Sequence, residues 1–139
     1  MTVKTETNFW KSVKKLLEGG EEKYLVSRIE SYVTPGFPDC IVFHKKTGFF
    51  TLELKVLQRN DKVLISPLQT AWNKWHAGFG APVFILVGAP KRRGVKLFSG
   101  SKAQELRNNS IDSVPGLYEG SLKDLELWSA VRGANSQTP

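Results

Sequence analysis

The segment that least tolerates alternative structure runs from Thr34 to Val56. Proline forces the residue before it into extended backbone and Gly36 admits a positive φ, so Thr34-Pro35-Gly36-Phe37-Pro38 must turn and cannot continue a helix. Asp39 is thereby placed at the mouth of the strand that follows. Cys40–His44 and Phe49–Val56 read as two strands around Lys46-Thr47-Gly48, a three-residue loop ending in glycine of the kind that joins hairpins. This loop pairs Lys45 with Phe49, and therefore sets Asp39 opposite Lys55 and Ile41 opposite Glu53. Directly paired residues share a face and side chains alternate. Asp39, Glu53 and Lys55 thus converge on one face, with Cys40, Val42, Leu52 and Leu54 on the other. A slip of one residue would part Asp39 from the other two.

Two carboxylates and an ammonium on short apolar strands need an explanation, because charge moved into a low-dielectric interior is penalised unless it is paired or bound to metal. A structural salt bridge is the competing account, but a buried ion pair adds little net stability once desolvation is counted. Adjacent carboxylates repel, and a divalent cation removes the conflict. Hard oxygen ligands select Mg²⁺, with Mn²⁺ able to substitute. Such an ion polarises a phosphoryl oxygen and lowers the pKa of bound water. Lys55 on the same face can position that water and offset charge building on phosphorus. Lys and Arg outnumber Asp and Glu by 20 to 13, a formal charge of +7, which favours polyanionic partners. Together these imply metal-dependent hydrolysis of a phosphodiester in nucleic acid.

Elsewhere the chain supplies a scaffold. At 139 residues it fits one domain, expected over 1–132, with 133–139 as a disordered tail. A single cysteine, Cys40, allows no internal disulfide, and the N-terminal residues lack an apolar run, so a cytoplasmic protein without a membrane segment is expected. A first helix is expected from Thr5 or Thr7 to Gly19, carrying Phe9, Trp10, Val13, Leu16 and Leu17, and a strand over Lys23–Val33. Val63–Ile65 reads as a short strand. Ser66-Pro67-Leu68-Gln69 combines serine at N-cap, proline at N1 and glutamine at N3, a capping box. The helix it opens carries Leu68, Ala71, Trp72, Trp75 and Phe79 as its expected buried stripe. Ala81–Ala89 and Val95–Phe98 read as strands around the basic turn Lys91-Arg92-Arg93, which is either solvated or grips a DNA arm. Helices are expected over Ser101–Asn108, capped by Ser101, and Ser121–Arg132. His44 and His76 read as peripheral, with no Cys/His spacing for zinc. The order of elements implies an α/β fold with a mixed central sheet flanked by helices.

Gly36-Phe37-Pro38-Asp39 followed by Glu53-Leu54-Lys55 resembles the signature of the PD-(D/E)xK nuclease superfamily. With Thr51-Leu52-Glu53-Leu54-Lys55 and the later Ser66-Pro67-Leu68-Gln69 and Trp72, the chain looks like the stand-alone VRR-NUC nucleases, relatives of Holliday junction resolvases that are frequent in phages. The resemblance spans Glu6 to Phe98. It implies a restriction-endonuclease-like core, with Asp39 and Glu53 as metal ligands, the Leu54 carbonyl completing the shell, and Lys55 holding the nucleophilic water. Gln69 would contact the nucleophile or the scissile phosphate, besides or instead of its capping role. Glu6 would reach a second metal, and Arg28 would contact phosphate or pair locally. The expected activity is a Mg²⁺-dependent endonuclease acting on branched DNA as a homodimer. The alternative is a non-catalytic DNA-binding protein that keeps the fold.

Overall fold

The structure, a computed structural model, describes residues 3–29, 34–92 and 94–136. Its centre is the expected hairpin, β2 (Cys40–His44) and β3 (Gly48–Val56). Gly48 takes φ +74, but the loop is Lys45-Lys46-Thr47: His44 pairs with Gly48, Phe43 with Phe49 and Cys40 with Leu52. The expected register is therefore two residues off. The cause is His44, which is fully buried rather than peripheral. Its Nδ1 accepts from the Lys46 N–H at 3.1 Å and its carbonyl accepts from the Thr47 N–H at 3.1 Å, closing the reversal early. Two is the side-chain period of a strand, so the faces survive the shift and Asp39 falls across from Glu53 instead of Lys55.

β1 (Leu25–Arg28) pairs antiparallel with β2, and Glu30–Val33 of the longer expected strand lie outside the described residues. Beyond β3 come β4 (Val83–Ala89), β5 (Gly94–Ser99) and β6 (Tyr118–Gly120), giving a six-stranded sheet in the order β1-β2-β3-β4-β5-β6. Among the described residues only β3 and β4 pair in parallel, with α2 (Pro67–Gly78) in the connection between them. The mixed α/β architecture matches the expectation. α1 (Val3–Gly19) and α4 (Leu127–Ser136) cover the face formed by Cys40, Val42, Leu52, Phe84 and Leu86. On the other, Ile85, Val87 and Phe98 pack with Val63, Ile65 and α3 (Ala103–Asn108). Gly88 lets α1 settle on the sheet: a Cβ there would lie 2.8 Å from the Phe9 ring.

Other expectations change as well: α1 starts at Val3, ahead of Thr5 and Thr7. Val63 and Ile65 are core plugs on an irregular loop rather than a strand. A 3₁₀ turn (Gly100–Lys102) precedes α3, and the capping serine is Ser99, which accepts from the Ser101 N–H at 3.3 Å. α4 begins at Leu127, where the Tyr24 hydroxyl accepts from the Trp128 N–H at 3.0 Å, and it runs through Gly133 to Ser136, inside the expected tail. The largest change concerns α2, whose buried residues are Thr70 and Asn73, while Leu68, Trp75 (72% exposed) and Phe79 (86%) face outward. No helix among the described residues is long and apolar enough to cross a membrane.

The Pro35–Pro38 turn is locked against α2. Gly36 has φ +86, and a Cβ on it would meet the Leu68 carbonyl oxygen at 2.5 Å. The Phe37 ring rests 5.3 Å from that of Trp72. Gly36→Ala is expected to cost about 1–3 kcal/mol from backbone strain alone, more if α2 is pushed away, read as a lower urea midpoint.

Candidate active site

The site forms where β2 starts, β3 ends its pairing with β2, and α2 begins. Alternate residues of β3 serve opposite neighbours: Thr51 and, just past the strand, Leu57 donate their N–H groups to Pro82 and Gly88 on the β4 side. Leu54, on the alternate phase, turns toward Asp39, and its N–H donates to Asp39 Oδ2 at 2.7 Å. In return the Asp39 N–H donates to Glu53 Oε2 at 3.1 Å. These two bonds hold both carboxylates at the point where β2 ceases to cover β3.

α2 supplies the third side. Gln69 Nε2 donates to Glu53 Oε1 at 2.8 Å, while Gln69 Oε1 accepts from Lys55 Nζ at 2.8 Å and from the Ser66 N–H at 3.1 Å. The Ser66 hydroxyl accepts from the Gln69 N–H at 3.1 Å. The capping box is therefore present, and the same glutamine links acid to ammonium. Lys55 Nζ is 3.6 Å from Glu53 Oε1 and keeps 18% of its side chain exposed, against 2% for Glu53.

Electrostatically the site carries too much negative charge for its burial. Burial first, and the charge of Asp39 second, push Glu53 up to about 8, although Lys55 and the Asp39 N–H pull the other way. Asp39 is also raised by burial; the Leu54 N–H, Lys55 and Arg28 lower it and Glu6 raises it. Cys40 behind them is pushed up to about 12 by burial, which rules out a thiolate nucleophile at neutral pH.

The donor set fits a hard divalent cation. It offers two carboxylates with an uncompensated charge, Asp39 Oδ1 without a donor among the described residues, and the Leu54 carbonyl on the uncovered strand edge. The described residues contain no cluster of three or more His, Cys, Asp or Glu side chains of metal-binding geometry. Glu6 in the first turn of α1 is thus not gathered into the Asp39–Glu53 pair, though its charge reaches Asp39. Arg28 lies across from Cys40 on β1, its guanidinium 5.2 Å from the centroid of the Trp10 ring.

The basic turn is divided. Arg92 is held by Asp112 at 2.6 Å and 3.1 Å and by Asp61 at 2.8 Å, so its guanidinium already has two carboxylate partners. Lys91 is exposed with no ion pair among the described residues, and Arg93 lies outside them. Sequence reasoning passed over Arg59, Lys62 and Arg107, which line a cleft of about 1050 Å³ that includes Lys55 and Gln69. Arg59 and Lys62 could have been noticed as cations just downstream of Lys55; Arg107 joins them only through the packing of α3.

No family model matches the sequence, and no curated protein matches it. Among solved structures the chain is similar to Hjc, a Holliday junction resolvase from the archaeal hyperthermophile Archaeoglobus fulgidus. The match covers 96% of this chain and 99% of that one with a TM-score of 0.53 at 19% identity. The likeness is one of fold.

Proposed function

We propose that this protein is a Mg²⁺-dependent endonuclease that hydrolyses phosphodiester bonds in DNA, selecting branched substrates in the manner of a resolvase. The observation that carries the reading is the convergence of Asp39, Glu53, Lys55 and Gln69 on one uncovered strand edge. The shared fold with a Holliday junction resolvase supports the same class.

In this reading Asp39, Glu53 and the Leu54 carbonyl hold Mg²⁺, for which Mn²⁺ can substitute. When bound, the ion polarises a phosphoryl oxygen and lowers the pKa of water. Lys55 orients the attacking water and stabilises charge on the phosphate, and Gln69 holds both Lys55 and Glu53 in register. Incubation with four-way junction, flap, single-stranded and duplex DNA is expected to give cutting with Mg²⁺ or Mn²⁺ and none with EDTA. Asp39→Ala should lower the rate at least ~100-fold. Unimpaired cutting by Asp39→Ala would refute the site. Salt-sensitive binding without cutting under either metal would favour a non-catalytic DNA-binding protein.

The outward face of α2 supports a homodimer. Trp75 and Phe79 flank a hollow of about 370 Å³ with His76 and Ala81, and aromatic side chains of this size bury roughly 150–250 Å² each. Exposed apolar patches of several hundred Å² mark interaction sites, and a two-fold relation would present two sites for paired incisions. Trp75→Glu with Phe79→Glu is expected to give a monomer in sedimentation velocity where the parent is a dimer; a parent that sediments as a monomer removes this part of the proposal.

A further inference from the structure

Among the described residues several cations are paired with acids: Arg92 with Asp61 and Asp112, Lys96 with Glu119, Lys102 with Glu105, Lys46 with Glu22. What sets Arg59, Lys62 and Arg107 apart is their place: all three are exposed, none has an acidic partner among the described residues, and all line a cleft that also includes Lys55 and Gln69.

The loop carrying two of them is built rigidly. Gln58 donates its N–H to the Lys62 carbonyl at 3.0 Å, Asp61 accepts an N–H from Ile111 at 2.8 Å, and Arg92 ties Asp61 to Asp112. Val63 and Ile65 anchor the loop in the second core, yet Leu64 between them points its side chain out at 73% exposure on the cleft wall.

An apolar side chain among unpaired cations matches a polymer that presents apolar faces and phosphates by turns. Duplex DNA hides its base faces in the stack; an unpaired strand exposes them, and binding sites for it combine cationic tracks with aromatic platforms, a place that Leu64 can take only by apolar contact with a base face. We infer that the cleft between the β3–α2 loop and α3 holds unpaired nucleotides of the strand entering the site, with Arg59, Lys62 and Arg107 on phosphates and Leu64 against a base. At about 1050 Å³ it lies at the upper end of the range for ligand pockets and has room for more than one nucleotide. The inference rests on the nuclease reading and narrows its substrate to branched DNA with an unpaired arm, such as a flap or a frayed branch point.

The test is fluorescence anisotropy in EDTA with a short fluorescein-labelled single strand and with its blunt duplex, across a salt series. Arg59→Gln with Arg107→Gln should weaken single-strand binding about tenfold and reduce the salt slope by about 1.4, with the duplex affinity changed less than about twofold. Leu64→Ser should weaken single-strand binding about threefold and leave the slope unchanged. Equal losses on both probes, no loss on the single strand, or a parent that does not bind it would overturn the cleft assignment. The nuclease reading fails separately, by cutting that ignores Asp39 and Glu53 or by no cutting with either metal.

Discussion

Glu53→Gln is expected to abolish DNA cutting and, in the same protein, to stabilise the metal-free fold at alkaline pH. Loss of a carboxylate from the site should lower the rate by about 10²–10³-fold or more. Stability moves the other way because Glu53 lies buried beside Asp39 and is pushed from its ordinary 4.5 to about 8. Between those pH values the folded protein binds the proton more tightly than the unfolded chain does. The stabilising contribution is full below about pH 4.5 and is lost as pH rises through 8. The size of the shift corresponds to a few kcal/mol, partly offset by about 1 kcal/mol because one of glutamine's two terminal atoms cannot accept the bond that Glu53 accepts. Urea midpoints measured in EDTA from pH 5 to pH 9 should fall for the parent and stay flatter for Glu53→Gln. Parallel curves would show that Glu53 is not the group that strains the fold, while unimpaired cutting would remove it from the site.

Gln69→Ala should produce the second largest effect, through two separable routes. It removes half of the capping box, costing about 0.5–2 kcal/mol of stability. It also frees Lys55 Nζ and leaves Glu53 Oε1 without its amide donor, so cutting should fall about 100-fold. Ser66→Ala separates the routes: it removes the cap hydroxyl but leaves Gln69 between Lys55 and Glu53. A comparable stability loss with cutting kept within about threefold of the parent would assign the catalytic deficit to the bridge. Equal loss of cutting in both variants would mean that the glutamine acts only by starting the helix.

Much of this site was legible in the sequence because its information is local. The Pro35–Pro38 turn, the glycine at Gly48 and the Ser66–Gln69 cap each act within a few residues, and together they place Asp39, Glu53, Lys55 and Gln69 at element ends. The register was misjudged because a side chain, His44, closes the hairpin from inside the core, and its partners Glu22, Tyr24 and Trp128 are distant in sequence. The face assignment survived only because the displacement was even.

The sequence by itself determined the hairpin, the pair of acids on one face of the sheet, the cap of α2 and the excess of positive charge. Only the tertiary structure decided which way α2 faces. Its apolar stripe, read alone, belongs inside; but Gln69 must reach Glu53 and Lys55, and that turns Thr70 and Asn73 inward and Trp75 and Phe79 out. Helical periodicity identifies an apolar face without saying what will cover it. Here polar bonds between α2 and β3 set the rotation of the helix, and they arise only when residues 53, 55 and 69 meet in space.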